Sequence, residues 1–586
     1  MDWTAFCALF SCVSLVSSSK LHPRVTVDTG ITRFSFENNI SLMKLGDASS
    51  DKIIWVGGQS VLYSISPTQG SKPLQVNVPP FQNENKDSNS SPRSLRFSVL
   101  QEGADGNVLF ICSSFDGNSE CCNLTSSYSL TDCFTSENYE PDINEPSLLV
   151  GNMLYFTKRD KGLYRINNNK KYNIWPQTNE EEQTYLKLVA GKGQHKDKVY
   201  SFFTEKHKSE DESELWIPRV SQSCMDDNGG SKSLLQSSWT SMIYSRLFCG
   251  KGYEFTKMID VATLETDNDI KVYALFRNYW NISAVCVYNM TEISSIFTSS
   301  EFNSRSVPDN HRPGTCGTDS TALSPEVLGF MKDRPEMKDW VMPENGPLLF
   351  THRHYTHIQV DRVRGHTVLL LSLESGGVHK VLENPLFVIA EYLPFQHETH
   401  ITSMLLDASE RRLYVSSSHE VVQIDLQTCQ AYGDQCNECR LSRDPYCGWD
   451  GLRCTSRAKF PALDILNCNK PEAAPSKTEV ESESTVIHVS PSSKHFLLCP
   501  KTSHHAEYRW YRGETLEECV HSKQSCLYLI HSMNETHEGH YRCESTEEGY
   551  TQTLRQYTLS MSRSDGLRLA PLLLMLTACH GLLASF

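Results

Sequence analysis

Between about residue 21 and residue 427 the apolar positions come in short runs separated by turn residues: IIWVGGQSVLYSI, NMLYFTKRDKGLYRI, DKVYSFFTE, DIKVYALFRNYWNISAVCVYNM, TVLLLSLESGGVHKVL and RRLYVSSSHEVVQIDL. Alternating polarity with many aromatic and β-branched residues predicts strands, and no long stretch carries a helical period. Several runs share one shape, an aliphatic strand ending near a tyrosine or leucine, a polar turn and a second strand. Taking Tyr63 as the first anchor, the corresponding positions are Tyr155, Tyr200, Tyr273, Leu370 and Tyr414, separated by 92, 45, 73, 97 and 44 residues. Three of these gaps lie near one or two units of about 45 residues, the blade period of a propeller. The 73-residue gap predicts an insertion, and Cys224 and Cys249 lie within it. About 400 residues without a linker-like break favour one closed ring over a two-sheet sandwich or two β-domains. The pattern leaves the number of blades open.

The texture then changes twice. Residues 429–468 hold Cys429, Cys436, Cys439, Cys447, Cys454 and Cys468. So small a unit buries too little apolar surface to hold itself together, and disulfides must stabilise it. Cys436 and Cys439 form a C-x2-C pair, but no matching second pair follows, which argues against a zinc site. The stretch KPEAAPSKTEVESEST, residues 470–485, reads as a linker. Beyond it, HFLLCP, AEYRWYR and HEGHYRCES place Cys499, Trp510 and Cys543 in the order of an immunoglobulin-like sandwich, with Tyr541 two residues before the second cysteine as in a tyrosine corner. A Cys499–Cys543 bridge would tie the two sheets with Trp510 packed on it, and Cys519 with Cys526 would close a small loop at the surface.

The two ends set the compartment. MDWTAFCALFSCVSLVSSSK has an apolar core followed by serines, a secretory signal over residues 1–19 despite Asp2 in place of the usual basic start. At the other end, small residues at Ser562, Ser564, Asp565 and Gly566 precede an apolar tail that runs to Phe586. A membrane-spanning helix would need about 20 apolar residues with Lys or Arg beyond them, and Pro571 and His580 interrupt this one. The pattern fits a removable glycosylphosphatidylinositol (GPI) signal over residues 565–586, with attachment expected at Ser564.

Cysteine arithmetic agrees with export. Of 21 cysteines, Cys7 and Cys12 lie in the signal and Cys579 in the tail; the even remainder of 18 can pair fully in an oxidising compartment. Asn39, Asn89, Asn123, Asn281, Asn289 and Asn534 then become glycan acceptors, Asn89 weakened by the proline after NSS. A net charge of -15 excludes the basic field that a nucleic-acid partner needs.

No catalytic constellation and no cofactor emerge. The chain lacks a G-x-S-x-G elbow and a phosphate-binding glycine loop. In THRHYTH, strand spacing puts His352 and His354 on one face and His357 on the other, so a solvated or packed strand is expected instead of a metal site. His504 and His505 would face oppositely in the same way.

CNECRLSRDPYCGWDG closely resembles the PSI module (plexin, semaphorin, integrin) that stands behind the propeller of semaphorins. WVGGQSVLYS, NYWNISAVCVYNM, RPGTC, PLLFTHRHYTHIQVDRV and ITSMLLDASERRLYVSSSHEVVQIDLQTC are similar to the same family, and the resemblance covers nearly the whole mature chain. An immunoglobulin-like domain with a GPI tail narrows it to the GPI-anchored class 7. The resemblance implies an all-β chain: a seven-bladed sema propeller over residues 20–427, a PSI module over 428–469 and an immunoglobulin-like domain over 486–560. It further implies a surface ligand, not an enzyme, that dimerises through its propeller, binds plexin receptors of the C class and signals in axon guidance, cell migration and immune-cell regulation. Whether a shed form acts at a distance stays open. An adhesion or receptor protein signalling inward is the alternative, and would require a separate transducing partner.

Laid on matching residues, the family's pairings are Cys112–Cys121, Cys249–Cys286 and Cys224–Cys316, then Cys429–Cys447, Cys436–Cys468 and Cys439–Cys454 in the PSI module. Two features depart from the family. FQNENKDSNSSPRSLRF carries no cysteine ahead of Cys112, whereas Cys122 and Cys133 appear as an extra pair, so the pairing of Cys121, Cys122 and Cys133 stays open here. Class 7 members also carry Arg-Gly-Asp, implicated in integrin binding, after the cysteine matching Cys224. Here Met225, Asp226 and Asp227 stand there, and RGE at Arg512–Glu514 is the nearest relative of the motif elsewhere. Asp227 keeps the carboxylate that an integrin's metal ion requires; Met225 cannot replace the guanidinium. Integrin binding is therefore doubtful, while plexin binding is expected to persist.

Overall fold

The computed structural model describes most of residues 21–456 and 484–562, together with Cys468. The signal peptide, residues 77–95 with Asn89, most of the linker and the tail with Ser564 lie outside the described residues.

Seven sheets follow one another along the first unit, spanning residues 40–76, 96–136, 147–166, 182–246, 257–351, 355–392 and 403–425. The first strand of each touches the first strand of the next, and that of the seventh returns to that of the first, so the sheets close into a seven-bladed propeller. Strand Ile31–Ser35 completes the seventh blade by pairing antiparallel with Glu420–Asp425. Residues from both ends of the propeller thus share one sheet, which clasps the ring shut. In the first strand of five blades the register slips by one residue, at Ser41, Ser98, Leu186, Ile259 and Thr356. Such bulges bend a strand and raise its twist where blades crowd together.

Two expectations change. Tyr155, Tyr200, Tyr273, Leu370 and Tyr414 all lie in the second strand of a blade, but Tyr63 lies in the third strand of the first. The second strand there, Asp51–Gly58, carries the fully buried Trp55. The larger insertion falls inside the 97-residue gap, between strands Ser283–Asn289 and Pro347–Thr351 of blade five, while the 73-residue gap holds a shorter one between strands Glu214–Cys224 and Ile243–Arg246 of blade four. The larger one contains helices α1 (Met290–Ser299) and α2 (Pro325–Lys332). Met290, Ile293, Ser294 and Phe297 give α1 a buried stripe at helical spacing. Ser324 caps α2 by accepting from the Val327 N–H at 3.3 Å, with Pro325 in the first turn, where its missing N–H costs nothing.

After the propeller come helix α3 (Cys436–Leu441) and a small hairpin of Cys447–Trp449 with Cys454–Ser456. The second unit is a sandwich. One sheet pairs Thr485–Val489, Tyr550–Met561, Gly539–Glu547, Glu507–Arg512 and Thr515–Glu517; the other pairs His495–Pro500, Ser525–Ile530 and Val520–His521. Cys499 is bonded to Cys543, Trp510 is fully buried, and Tyr541 donates its hydroxyl to the His537 carbonyl at 2.9 Å. Cys519 is bonded to Cys526, and Cys526 is fully buried opposite Cys499 on the neighbouring strand. This bridge closes the expected small surface loop, with residues 520–524 exposed, and anchors one end of it in the core.

Candidate functional site

The segment after Cys224 is held from below. Arg165, buried in the third strand of blade three, donates from Nη1 to the Met225 carbonyl at 2.7 Å and from Nη2 to the Asp227 carbonyl at 2.5 Å. Its Nε and Nη2 also donate to the Tyr172 carbonyl, at 3.1 and 2.9 Å, and its guanidinium lies 5.6 Å from the centre of the Trp239 ring. Asp227 is only 2% exposed. Its carboxylate accepts from the backbone N–H groups of Gly229, Thr240 and Ser241 at 2.9, 2.8 and 2.9 Å. The Thr240 and Ser241 hydroxyls donate as well, at 3.0 and 2.7 Å. A carboxylate has about four lone-pair sites, so five donors fill it. The expectation that Asp227 keeps a carboxylate free for an integrin's metal ion is corrected: its geometry organises the loop. Asp226 is exposed but accepts from the Gly317 N–H at 2.8 Å, and Met225 packs against the buried cluster around Trp239.

The larger insertion is tied to blade four by charge and by disulfide. Buried Glu205 accepts from Arg219 and Arg334, each at 2.9 Å, and from Gln183 at 2.8 Å. Burial opposes its charge, but the two guanidinium groups outweigh that and hold the carboxyl below its ordinary value. Glu336 extends the network to Arg219 at 3.2 Å and Arg246 at 2.5 Å. Cys224 is bonded to Cys316 and Cys249 to Cys286. Elsewhere in the chain Cys112 is bonded to Cys121, Cys122 to Cys133, Cys429 to Cys447 and Cys439 to Cys454; Cys436 and Cys468 are also disulfide-bonded.

The PSI module is locked to the propeller through polar groups. Lys380, in strand Val378–Leu382 of blade six, donates to Asp444 and to the Leu426 carbonyl, each at 2.7 Å. Its ammonium lies 4.1 Å from the Tyr446 ring centre, and Tyr432 donates to the same Asp444 oxygen at 2.6 Å. Burial pushes the Lys380 amine below its ordinary value, and Asp444 opposes the shift. Asp361, also from blade six, accepts from the Tyr446 hydroxyl at 2.7 Å and from Arg411 at 2.7 and 2.8 Å. Arg24 pairs with Glu438 of α3. The motif RDPYCGW therefore supplies Asp444 and Tyr446 as two plugs in the propeller wall.

The other singled-out residues do not converge. His352 and His354 are exposed in a bend between strands, and strand Tyr355–Val363 starts after them, which corrects the strand reading of THRHYTH. His357 is half-buried, with Nδ1 at 3.0 Å from the Ser372 hydroxyl. His504 and His505 likewise lie in a turn, not a strand. Three clusters of metal-ligand type occur among the described residues, each built on two cysteines that are bonded to each other: Cys519 and Cys526 with His521, Cys122 and Cys133 with Glu120, Cys224 and Cys316 with Asp226. A disulfide sulfur is no thiolate ligand. Asn39, Asn281 and Asn534 are exposed, whereas Asn123 and Asn289 are half-buried. Sequence reasoning missed Arg165, Lys380 and Asp361, whose partners are distant in the chain and leave no periodic trace.

The chain is 30% identical to semaphorin-7A of Homo sapiens over 547 residues, covering 86% of this chain and 82% of that protein. The chain belongs to the semaphorin family. Semaphorin-7A of Mus musculus is 29% identical to this semaphorin with the same coverage. Family models match at residues 257–408 (Sema domain), 428–480 (plexin repeat) and 481–568 (semaphorin-3/4/7A immunoglobulin-like domain). Drosophila semaphorin 2a superposes with a TM-score of 0.67 at 19% identity, covering 92% of this semaphorin and 98% of that chain. A chain of the complex of Drosophila plexin A with semaphorin 1b superposes with a TM-score of 0.59 at 21% identity, covering 74% and 94%. Likeness at that identity speaks to the fold alone.

Proposed function

We propose that this semaphorin is a surface ligand for a plexin-type receptor of the C class, acting as a propeller-mediated homodimer in axon guidance, cell migration and immune-cell regulation. The observation that carries the reading is the buried seam of Lys380, Asp444, Asp361 and Tyr446, which makes propeller and PSI module one presenting body. A dimer of such bodies offers two receptor sites at once, and linked sites gain effective concentration over single ones. The ligand's work is to hold two receptor chains at a fixed spacing. Attachment to the outer leaflet through a GPI anchor at Ser564 belongs to the same proposal; among the described residues no helix is long and apolar enough to cross a membrane. Integrins are not part of it, because the Asp227 carboxylate is enclosed.

Binding of the purified ectodomain to a panel of plexin ectodomains tests the reading, with a C-class plexin expected to bind and silence across the panel overturning it. Sedimentation of the deglycosylated ectodomain at micromolar concentration is expected to give twice the chain mass. Phosphatidylinositol-specific phospholipase C is expected to release the protein from cells, whereas retention alongside a released control would speak for a spanning helix.

A further inference from the structure

The turn joining strands Ile270–Arg277 and Ser283–Asn289 of blade five exposes two large aromatic side chains. Tyr279 is 95% exposed, the most of any large apolar residue described, and Trp280 is 73% exposed. Their ring centres lie 6.2 Å apart, edge to face. The turn is rigid: the buried Asn278 side chain accepts from the N–H groups of Trp280 at 3.0 Å and Ile282 at 2.9 Å. Asn281 closes it with its N–H on the Asn278 carbonyl at 3.1 Å and a φ of 60°, a left-handed conformation that asparagine tolerates. Rings of this size bury some 150–250 Å² each when covered. Here they stand uncovered beside an exposed asparagine that opens the sequon Asn281-Ile282-Ser283.

We propose that Asn281 carries an N-linked glycan whose first sugar packs on Tyr279 and Trp280, so that the turn is a carbohydrate platform built for the chain's own modification. The negative face of an aromatic ring attracts the polarised C–H groups on the apolar side of a pyranose. In the transfer, the Asn281 amide nitrogen bonds to C1 of the terminal N-acetylglucosamine of a lipid-linked oligosaccharide. The C1–O bond to the lipid pyrophosphate breaks, the pyrophosphate leaves with the electron pair, and the amide gives up one proton. Ser283, the sequon hydroxyl, is 1% exposed and accepts from the Tyr355 N–H at 3.2 Å in the folded protein. Transfer therefore precedes folding of blade five, and the sugar is already in place when the turn forms. The proposal needs only export, so it stands or falls separately from the receptor reading.

Glycopeptide mass spectrometry of the secreted ectodomain is expected to find Asn281 occupied. Trimming the folded protein to a single N-acetylglucosamine should leave its thermal midpoint unchanged, whereas complete removal by an amidase, which turns the asparagine into an aspartate, should lower it by about 2 °C. Trp280→Ala should cost a similar shift in the glycosylated protein and little in Asn281→Gln, because the ring and the sugar act as one unit. An unmodified Asn281, or equal shifts for Trp280→Ala with and without the sugar, would overturn the proposal. Loss of plexin binding by Trp280→Ala in unglycosylated ectodomain would also overturn it, marking the rings as a receptor contact. Amidase treatment of the parent protein keeps the test open if Asn281→Gln is not secreted.

Discussion

The Lys380 ammonium lies 2.7 Å from the Asp444 carboxylate, with the two side chains 0% and 1% exposed, so propeller and PSI module share one enclosed charge pair. Removing one partner strands the other without water, at a cost of about 3–5 kcal/mol, whereas replacing both by apolar residues of similar size is often neutral. Lys380→Met and Asp444→Leu are each expected to depress the unfolding midpoint and the secreted yield, and the double variant to lose less than the two losses added. Part of the loss stays, because the Tyr432 hydroxyl, the Tyr446 N–H and the Leu426 carbonyl lose their partner. Simple addition of the two losses would show that the residues act separately.

A second expectation follows from His379, buried beside Lys380 in blade six with Nδ1 2.7 Å from the Tyr355 hydroxyl. Burial, with Arg353 and His22 nearby, holds its pKa down to about 3 from 6.5. Glu391 stands 3.9 Å from Nε2, too far for a hydrogen bond that would offset this. Below about pH 6.5 the unfolded chain takes up a proton that the folded chain refuses until about pH 3. Stability therefore falls with falling pH across that window, by up to about 1.4 kcal/mol per unit. His379→Gln should flatten the slope of stability against pH between about 6.5 and 4.5; a curve parallel to the parent's would refute the assignment.

Legibility in the sequence followed locality. Strands, turns, the cysteine-dense module and the Cys499, Trp510, Cys543 sandwich could be read because each signal spans a few residues or a family spacing. The blade count could not. The second strand of blade two, Leu109–Phe115, has no tyrosine to act as an anchor, and Tyr63 sits on a third strand whose alternation looks like that of a second. Helices α1 and α2, ten and eight residues long, are too short to stand out against the strand period. The polar sites were least visible: Asp227 is filled by Thr240 and Ser241, and Lys380 meets Asp444 from 64 residues away.

The PSI bridges carry a third expectation. The Cys429–Cys447 bond closes a loop with a sequence separation of 18 in a unit with little core of its own. Losing such a bond from a small secreted domain costs about 2–5 kcal/mol, so Cys447→Ser should reduce secretion sharply. Peptide mapping of the parent protein should recover Cys429 linked to Cys447 and Cys439 linked to Cys454. Free thiols at Cys436, Cys439 or Cys447 would sink the assignment of this module.

Asp227 separates a structural from an adhesive role for the loop after Cys224. Its carboxylate binds five donors from three residues, so Asp227→Ala leaves the buried N–H groups of Thr240 and Ser241 without an acceptor. An orphaned buried donor costs about 1–3 kcal/mol, and a lower unfolding midpoint is expected. Asp227→Asn should fall between, since one amide oxygen still accepts while the amide nitrogen meets donors. Met225 lacks the guanidinium that would pair with a carboxylate on the other integrin subunit. Cell adhesion to the parent ectodomain is therefore expected to be insensitive to a soluble Arg-Gly-Asp peptide, and plexin binding by folded Asp227→Asn protein to match the parent's. Adhesion blocked by that peptide and abolished by Asp227→Asn, with the unfolding midpoint unchanged, would show that the loop opens and presents its carboxylate after all.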